Sequence, residues 1–395
     1  FDPESVDVPN PLETEFVRTL QKLSWQAEPA GSVPLSLADA LQQVYDENLD
    51  IQISYEKINE TEAKQASVES KRVLFFFKYI NSEYFEGSAE SDVLAAKEHQ
   101  IDVTNQTLRD VSRYYFDVMR AVMATYVSHQ AIQQGLKQLQ FNKSQFDAGE
   151  TTSYELMQTK TQLVQRYQDL LTLDSTYENA SIRLHQYLGQ DSMSVIYPTL
   201  LNFQNNEFNL PMFNLFPDAV TEHQVLELAL MNRADLKELA YRRDSIANML
   251  KANVNMFDSN HMKIVEATLK QMKLKYEKGK RGIKASVLKA FNDYQLAHRK
   301  MTLSQKQLNL ASTALKQVQI TQQSGFSSNK DVLDAQVAYA QAQVGQANAL
   351  IDYNLSQVEL LYETGLIRLE TLLQAVNTQA LTSSQGATLA SIQHH

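Results

Sequence analysis

The amino-acid sequence predicts a mainly α-helical protein assembled from long helical hairpins. Turn-forming residues are scarce, with 11 glycines and 8 prolines in 395 residues. Strong helix formers such as alanine, leucine, glutamine, lysine and glutamate are frequent instead. Apolar residues also alternate at spacings of three and four over long stretches. A 3.5-residue period is typical of helices that supercoil against neighbours, so the sequence favours long packed rods over a compact domain.

The apolar alternation is clearest in two regions. Residues 101–189 carry an almost uninterrupted helical pattern with one break, at Gly149. Its apolar positions include Leu108, Val111, Tyr115, Val118, Val122, Leu163, Leu170, Tyr177 and Leu184. Near the C-terminus the period is kept by Leu333, Val337, Ala340, Val344, Ala347, Ile351, Asn354, Val358 and Leu361. Arms of about 40 to 50 residues would span about 60 to 75 Å.

An internal repeat is the strongest signal in the sequence. A shift of 176 residues superimposes a set of glycines and aromatic residues. The superimposed pairs are Gly149 with Gly325, Gly189 with Gly365, and Tyr177 with Tyr353. A second shift, of 185 residues, places Asp50 on Asp235. The chain therefore contains two copies of one unit, which is a helix, an interruption and a long helical hairpin.

The two hairpin tips share a pattern of glycine, then Ser or Thr three residues later, then an acid after three more. The first tip has Gly149, Thr152 and Glu155, and the second has Gly325, Ser328 and Asp331. Glycine suits the left-handed backbone that ends one helix, and Ser or Thr followed by an acid caps the next. Capping does not explain Asp334, which shares a helix face with Asp331. That face is either solvated or gathered around a symmetry axis.

Composition and motifs exclude several classes of function. The net charge of -10 and the lack of a basic stripe exclude nucleic acid as a partner. The chain has no cysteine, its histidines are scattered, and no catalytic fingerprint occurs. We therefore expect no catalytic residues, no metal site and no cofactor. One basic run, residues 273–284, is either a solvated face or a contact with a neighbour or with lipid headgroups.

Several segments resemble the TolC family of bacterial outer membrane efflux proteins. These are "SLADALQQVYDENLDI" near the start, "FNKSQFDAGETTSYELMQTKTQLVQ" and "ENASIRLHQYLG" in the first repeat, and "DVLDAQVAYAQAQVGQANALIDYNLSQVELLYETG" near the close. The resemblance covers roughly residues 36–366. It implies a homotrimer with a twelve-helix α-barrel in the periplasm and an outer membrane β-barrel to which each chain gives four strands. The implied function is the exit duct of a tripartite efflux pump or a type I secretion system.

The resemblance also implies roles for the hairpin tips. Asp331, Asp334 and Glu155 would line the gate at the periplasmic constriction. Contacts with a periplasmic adaptor protein would be made by Gly149, Thr152, Gly325 and Ser328. Further implied partners are an inner membrane pump, of RND or ABC type, and outer membrane lipid. The tyrosine and arginine that lock the closed entrance in the family are replaced here by Gln322 and Ser327.

The resemblance implies a domain organisation that the sequence follows only in part. The predicted units are an extended arm at 1–35, a first repeat at 36–189, an equatorial linker at 190–222, a second repeat at 223–366, and a C-terminal equatorial segment with a tag remnant at 367–395. The barrel strands should enter near 72–96 and 255–258, where the sequence offers only short segments for them. A soluble periplasmic coiled-coil adaptor or scaffold is therefore the alternative function.

Overall fold

The computed structural model describes residues 31–74, 82–149, 152–190, 194–199, 210–217, 220–252, 259–324, 326–327 and 329–376. The first repeat comprises β1 (Val33–Leu35), α1 (Leu37–Glu47), α2 (Leu49–Leu74), α3 (Ser82–Asp147) and α4 (Ser153–Tyr187). Strand β2 (Ile196–Pro198) follows, and the second repeat comprises α5 (Glu222–Asn232), α6 (Ala234–Ala252), α7 (Ser259–Gln323) and α8 (Asn329–Glu363). Residues 369–376 are also helical. The predicted mainly α fold with two long hairpins is confirmed.

Each repeat starts with a helix that is interrupted once. The sequence predicts continuous helix from the first repeat's start to about Arg72, but the chain breaks at Asn48, which is extended at φ -66° and ψ 126°. The Asn48 side-chain oxygen accepts from the backbone N–H groups of Asp50 and Ile51, and so starts α2. The equivalent position in the second repeat is Arg233, with φ -60° and ψ 117°. The break is therefore a feature of the repeated unit.

The helices form a layer of four rods. Two rods are single helices, α3 with 66 residues and α7 with 65, so each is about 100 Å long. The other two are composite, because α2 and α4 both pack along α3, while α6 and α8 both pack along α7. Contacts of α3 with α6 and α8 join the two halves. The layer thus has α2 and α4 on one edge and α7 on the opposite edge.

The main core lies where the layer meets β1, β2 and the linker. Strand β1 pairs in parallel with β2, and the Tyr115 hydroxyl donates to the carbonyl of Leu35. Two fully buried amides of α8, Asn354 and Gln357, bond to the linker backbone on either side of the buried Phe213. Asn354 therefore fits the predicted apolar seam because its polar atoms replace the backbone partners that this linker would otherwise lack.

Two sequence predictions fall partly outside the described residues. The strand entry point near 72–96 includes residues 75–81, and the second one covers 255–258; neither group is described. Residues 82–96 belong to α3. The same holds for residues 1–30 of the arm and 377–395 of the C-terminal segment, which also lie outside the described ranges. Among the helices that are described, none has an apolar stretch long enough to span a membrane.

Candidate functional site

The first hairpin tip has the predicted turn. Helix α3 ends at Asp147, and Gly149 adopts a left-handed φ of 76°. Thr152 then caps α4, because its side chain accepts from the backbone N–H of Glu155 at 3.3 Å. Gly149, Thr152 and Glu155 are all exposed. The capping role of this tip is confirmed, while its contact with an adaptor stays a prediction.

The second tip presents two carboxylates. Asp331 lies in the first turn of α8, and Asp334 follows one turn later; both are exposed. Gly325 and Ser328 lie outside the described residues. Within the tip, the Thr321 and Ser327 hydroxyls are 2.6 Å apart and share a hydrogen bond. Ser327 is thus held by its own hairpin, at a position where the related family carries part of its entrance lock.

Both edges of the helical layer carry an exposed apolar stripe. On α4 the stripe comprises Met157, Val164 and Leu171, which are spaced by seven residues and are 40% to 59% exposed. On α7 it comprises Leu296, Leu303 and Leu310, with the same spacing and 50% to 70% exposure. Each helix also has a separate buried seam, such as Leu163 and Leu170 on α4. The exposed stripes are not among the positions predicted from the sequence, although α4 carries a second apolar register one residue after the buried one.

Contacts inside the layer show that the two stripes lie at similar positions along the long axis of the rods. Asn142 of α3 bonds to Thr159 of α4 at 2.6 Å, which fixes the first hairpin. Gln346 of α8 bonds to Gln305 of α7, which fixes the second. An ion pair between Arg120 of α3 and Asp352 of α8 links the two hairpins. Following these contacts across the layer places Leu171 of α4 within about one helical turn of Leu310 of α7.

A cluster of charged residues lies where the two repeats meet. Arg233 makes a bidentate pair with Asp235, at 2.9 and 2.8 Å, and a third contact with Glu363 at 2.7 Å. The ring of Tyr362 lies between the guanidinium groups of Arg233 and Arg109, at 5.0 and 4.3 Å. Arg109 belongs to α3, Arg233 to the α5–α6 break, Asp235 to α6, and both Tyr362 and Glu363 to the end of α8. The cluster therefore fastens the end of α8 to α3 and α6.

Asp102 lies near this cluster, and its carboxyl group is unfavourable in the ionised form. Burial, together with the nearby Asp235 carboxylate, raises the pKa of Asp102 to about 6, although Arg233 opposes the shift. Because the folded protein binds this proton more tightly than the unfolded chain, stability falls as pH rises from about 4 to about 6. Above that range the ionised carboxylate costs about 3 kcal/mol of folding free energy.

We expect Asp102→Asn to stabilise the protein at pH 7 by about 3 kcal/mol, because the amide removes the buried charge. The gain should shrink to well under 1 kcal/mol at about pH 4, where Asp102 is protonated in the folded protein and about half protonated in the unfolded chain. Thermal unfolding followed by circular dichroism at both pH values measures this. Asp92→Asn on the same helix, at an exposed position, is the matched control and should change little. A gain independent of pH would contradict the assignment.

The geometry can be compared with known proteins. Residues 242–366 match the family model described as outer membrane efflux protein. This segment is an outer membrane efflux protein domain. The family implied by the resemblance is thereby confirmed for this segment, and the description of that family as outer membrane efflux proteins agrees with the implied localisation. Among curated proteins, none matches the sequence.

Solved structures share the fold of this chain. A membrane protein from Pseudomonas aeruginosa aligns with a TM-score of 0.67 and 13% identity, over 87% of this chain and 95% of that one. The CmeC outer membrane channel of Campylobacter jejuni gives 0.67 and 11%, over 86% and 89%. The MtrE outer membrane channel of Neisseria gonorrhoeae, solved in its open state, gives 0.64 and 11%, over 84% and 90%. At these identities the likeness establishes the fold.

Proposed function

We propose that this efflux protein forms a homotrimeric, water-filled exit duct that reaches from the outer membrane into the periplasm. The observation that carries the proposal is the pair of exposed apolar stripes, on α4 and α7, at opposite edges of one helical layer. A layer whose two edges both expose apolar surface is stabilised when the edge of one copy covers the opposite edge of the next. Such head-to-tail contacts close into a ring when the rotation from one copy to the next divides a full turn into whole steps.

The number of subunits follows from the family resemblance. Each chain contributes four rods, so a ring of three chains has the twelve rods of the α-barrel that the resemblance implies. Solute passes through the lumen by diffusion, and the energy comes from an inner membrane pump, of RND or ABC type, that reaches the duct through a periplasmic adaptor. An efflux pump and a type I secretion system both fit this role.

The second hairpin tip is the proposed gate. Three copies of Asp331 and Asp334 around the threefold axis would give six carboxylates at the periplasmic entrance. A ring of this charge density attracts cations and repels anions. Ser327 bonds to Thr321 of its own tip, so at least one of its hydrogen bonds is made within the hairpin. We infer that the carboxylate ring itself, with Glu155 from the first tip beside it, sets the entry selectivity.

Replacing Asp331 and Asp334 with alanine should lower the cation selectivity of the channel and weaken its block by multivalent cations at least about tenfold, because the carboxylates that bind them are lost. Single-channel recordings in planar bilayers measure both quantities. Asp169→Ala together with Asp293→Ala removes the same charge from exposed positions away from the tip and should leave both unchanged. Unaltered block in the tip variant would contradict the gate, and a complete lack of conductance in the wild type would favour the scaffold alternative.

The tips are also the proposed docking site for the adaptor. Besides Gly149, Thr152, Gly325 and Ser328, two large side chains lie exposed there, Phe326 at 87% and Tyr154 at 76%. Aromatic residues of this kind are the usual anchors of protein interfaces. They supply the apolar contact that a turn made of small polar residues lacks.

A further inference from the structure

The edge helix α7 has a basic face in its N-terminal half, far from the proposed gate at the second hairpin tip. Residues 270–284 contain seven lysines and arginines and one glutamate. Lys278 and Arg281 are exposed, and Arg281 lies about 160° around the helix from the buried Ile283. Neither forms an ion pair with any residue that the structure describes. This face therefore points away from the layer with its charge uncompensated.

The opposite edge, formed here by α2, is acidic. Residues 46–62 contain six aspartates and glutamates and one lysine. Glu56 is exposed and lies about 160° around α2 from the buried Ser54. Glu60 lies one turn further along the same outer face, where Lys57 and Lys64 partly neutralise it at 2.6 and 2.5 Å. Glu56 is thus the less compensated carboxylate of this edge.

Contacts across the layer show that the two charged edges lie at the same position along the long axis of the rods. Glu62 of α2 pairs with Lys97 of α3 at 2.9 Å. Two residues along α3, His99 pairs with Glu238 of α6 at 3.2 Å. The residue after Glu238, Leu239, packs directly over Gly279 of α7. The acidic stretch around Glu56 and Glu60 is therefore level with the basic stretch around Lys278 and Arg281.

We propose that the basic face of α7, at Lys278 and Arg281, docks on the acidic face of α2, at Glu56 and Glu60, of the next copy of this chain. The inference rests on the proposed ring, and it assigns an electrostatic function to a part of the edge where the apolar stripes of α4 and α7 do not reach. Charge of one sign on each edge also opposes the pairing of two like edges, so it selects head-to-tail rings over closed dimers.

The test is a charge-swap cycle on the full-length chain in detergent. The first variant is Lys278→Glu with Arg281→Glu, the second is Glu56→Lys with Glu60→Lys, and the third combines all four changes. At about 0.1 M salt each single-edge variant should raise the trimer dissociation constant at least about tenfold, and at about 1 M salt the difference should nearly vanish because the charges are screened. The combined variant should regain most of the wild-type affinity. Sedimentation velocity measures all of these.

A matched control separates the docking site from net charge. Lys137→Glu with Lys143→Glu makes the same charge change at exposed sites of α3, an inner rod that forms neither edge of the layer, and it should leave the dissociation constant within about twofold of the wild type. Failure of the four-fold variant to recover would overturn the proposal. The proposal would also be overturned if the variant Lys278→Glu with Arg281→Glu stayed trimeric but lost binding to phosphatidylglycerol vesicles, since the basic face would then bind lipid. If the trimers survive every charge swap but dissociate when the leucines of the α7 stripe are changed, the charged contact is overturned and the proposed duct is not. A monomeric wild type would overturn both.

Discussion

Replacing Leu303 and Leu310 with glutamate should convert the trimer into monomers. Both leucines are more than half exposed in the single chain, so the change leaves the fold of the monomer unaffected. In the proposed ring they are covered by α4 of the neighbouring copy, and each buried, unpaired carboxylate would cost several kcal/mol per interface. Sedimentation velocity in detergent reports the mass, and circular dichroism reports the fold. We expect loss of the trimer with an unchanged helical spectrum.

The control for this variant lies one residue earlier at each position. Thr302 and Asn309 are exposed and keep the same spacing of seven, but they lie about 100° further around α7. Thr302→Glu with Asn309→Glu should therefore remain trimeric. A leucine variant as trimeric as this control would mean that the α7 stripe faces solvent in the assembly, and the proposed ring would have to be abandoned.

Gly365→Ala should be strongly destabilising for so small a substitution. Gly365 has a left-handed φ of 69°, and an added Cβ would lie 2.7 to 2.8 Å from the backbone of Asn232 and Arg233. Left-handed strain and displacement of the α5–α6 break add up to about 3 kcal/mol or more. The displaced break carries Arg233, so its ion pairs with Asp235 and Glu363 would also be weakened. Thermal and chemical unfolding measure the loss.

The repeat supplies a matched control for that substitution. Gly189 occupies the equivalent position and has a φ of 74°, but nothing lies within 4 Å of the point that an added Cβ would occupy. Gly189→Ala should therefore cost only the left-handed strain, about 1 kcal/mol. Equal losses at the two glycines would show that the contact between Gly365 and the α5–α6 break carries no stability.

Much of this fold follows from local patterns in the sequence. The buried seam of α3, from Leu108 to Val122, and that of α8, from Ala347 to Leu361, are the predicted apolar positions. Gly149 and Thr152 end one helix and start the next as their chemistry requires. These features depend on neighbours within a few turns, so the spacing of residues along the chain is enough to predict them.

Other features depend on distant neighbours and could not be predicted. The break at Asn48 falls inside a helical pattern, and only its side-chain bonds to Asp50 and Ile51 show that the helix restarts there. The ion pair of Arg233 with Glu363 joins residues 130 positions apart. The sequence also does not distinguish Leu163, which faces α3, from Val164, which faces outward, because both are apolar in a helical pattern. Only the packing of one hairpin against another separates an internal seam from an open edge.

The most direct test of the proposed ring is to cross-link its two edges. The chain contains no cysteine, so Leu171→Cys combined with Leu310→Cys introduces the only thiols, and a short bismaleimide reagent tolerates an offset of about one turn. We predict a covalent trimer on a denaturing gel, formed only when both cysteines are present. Only monomers, or a ladder that continues beyond three chains, would contradict a closed threefold ring.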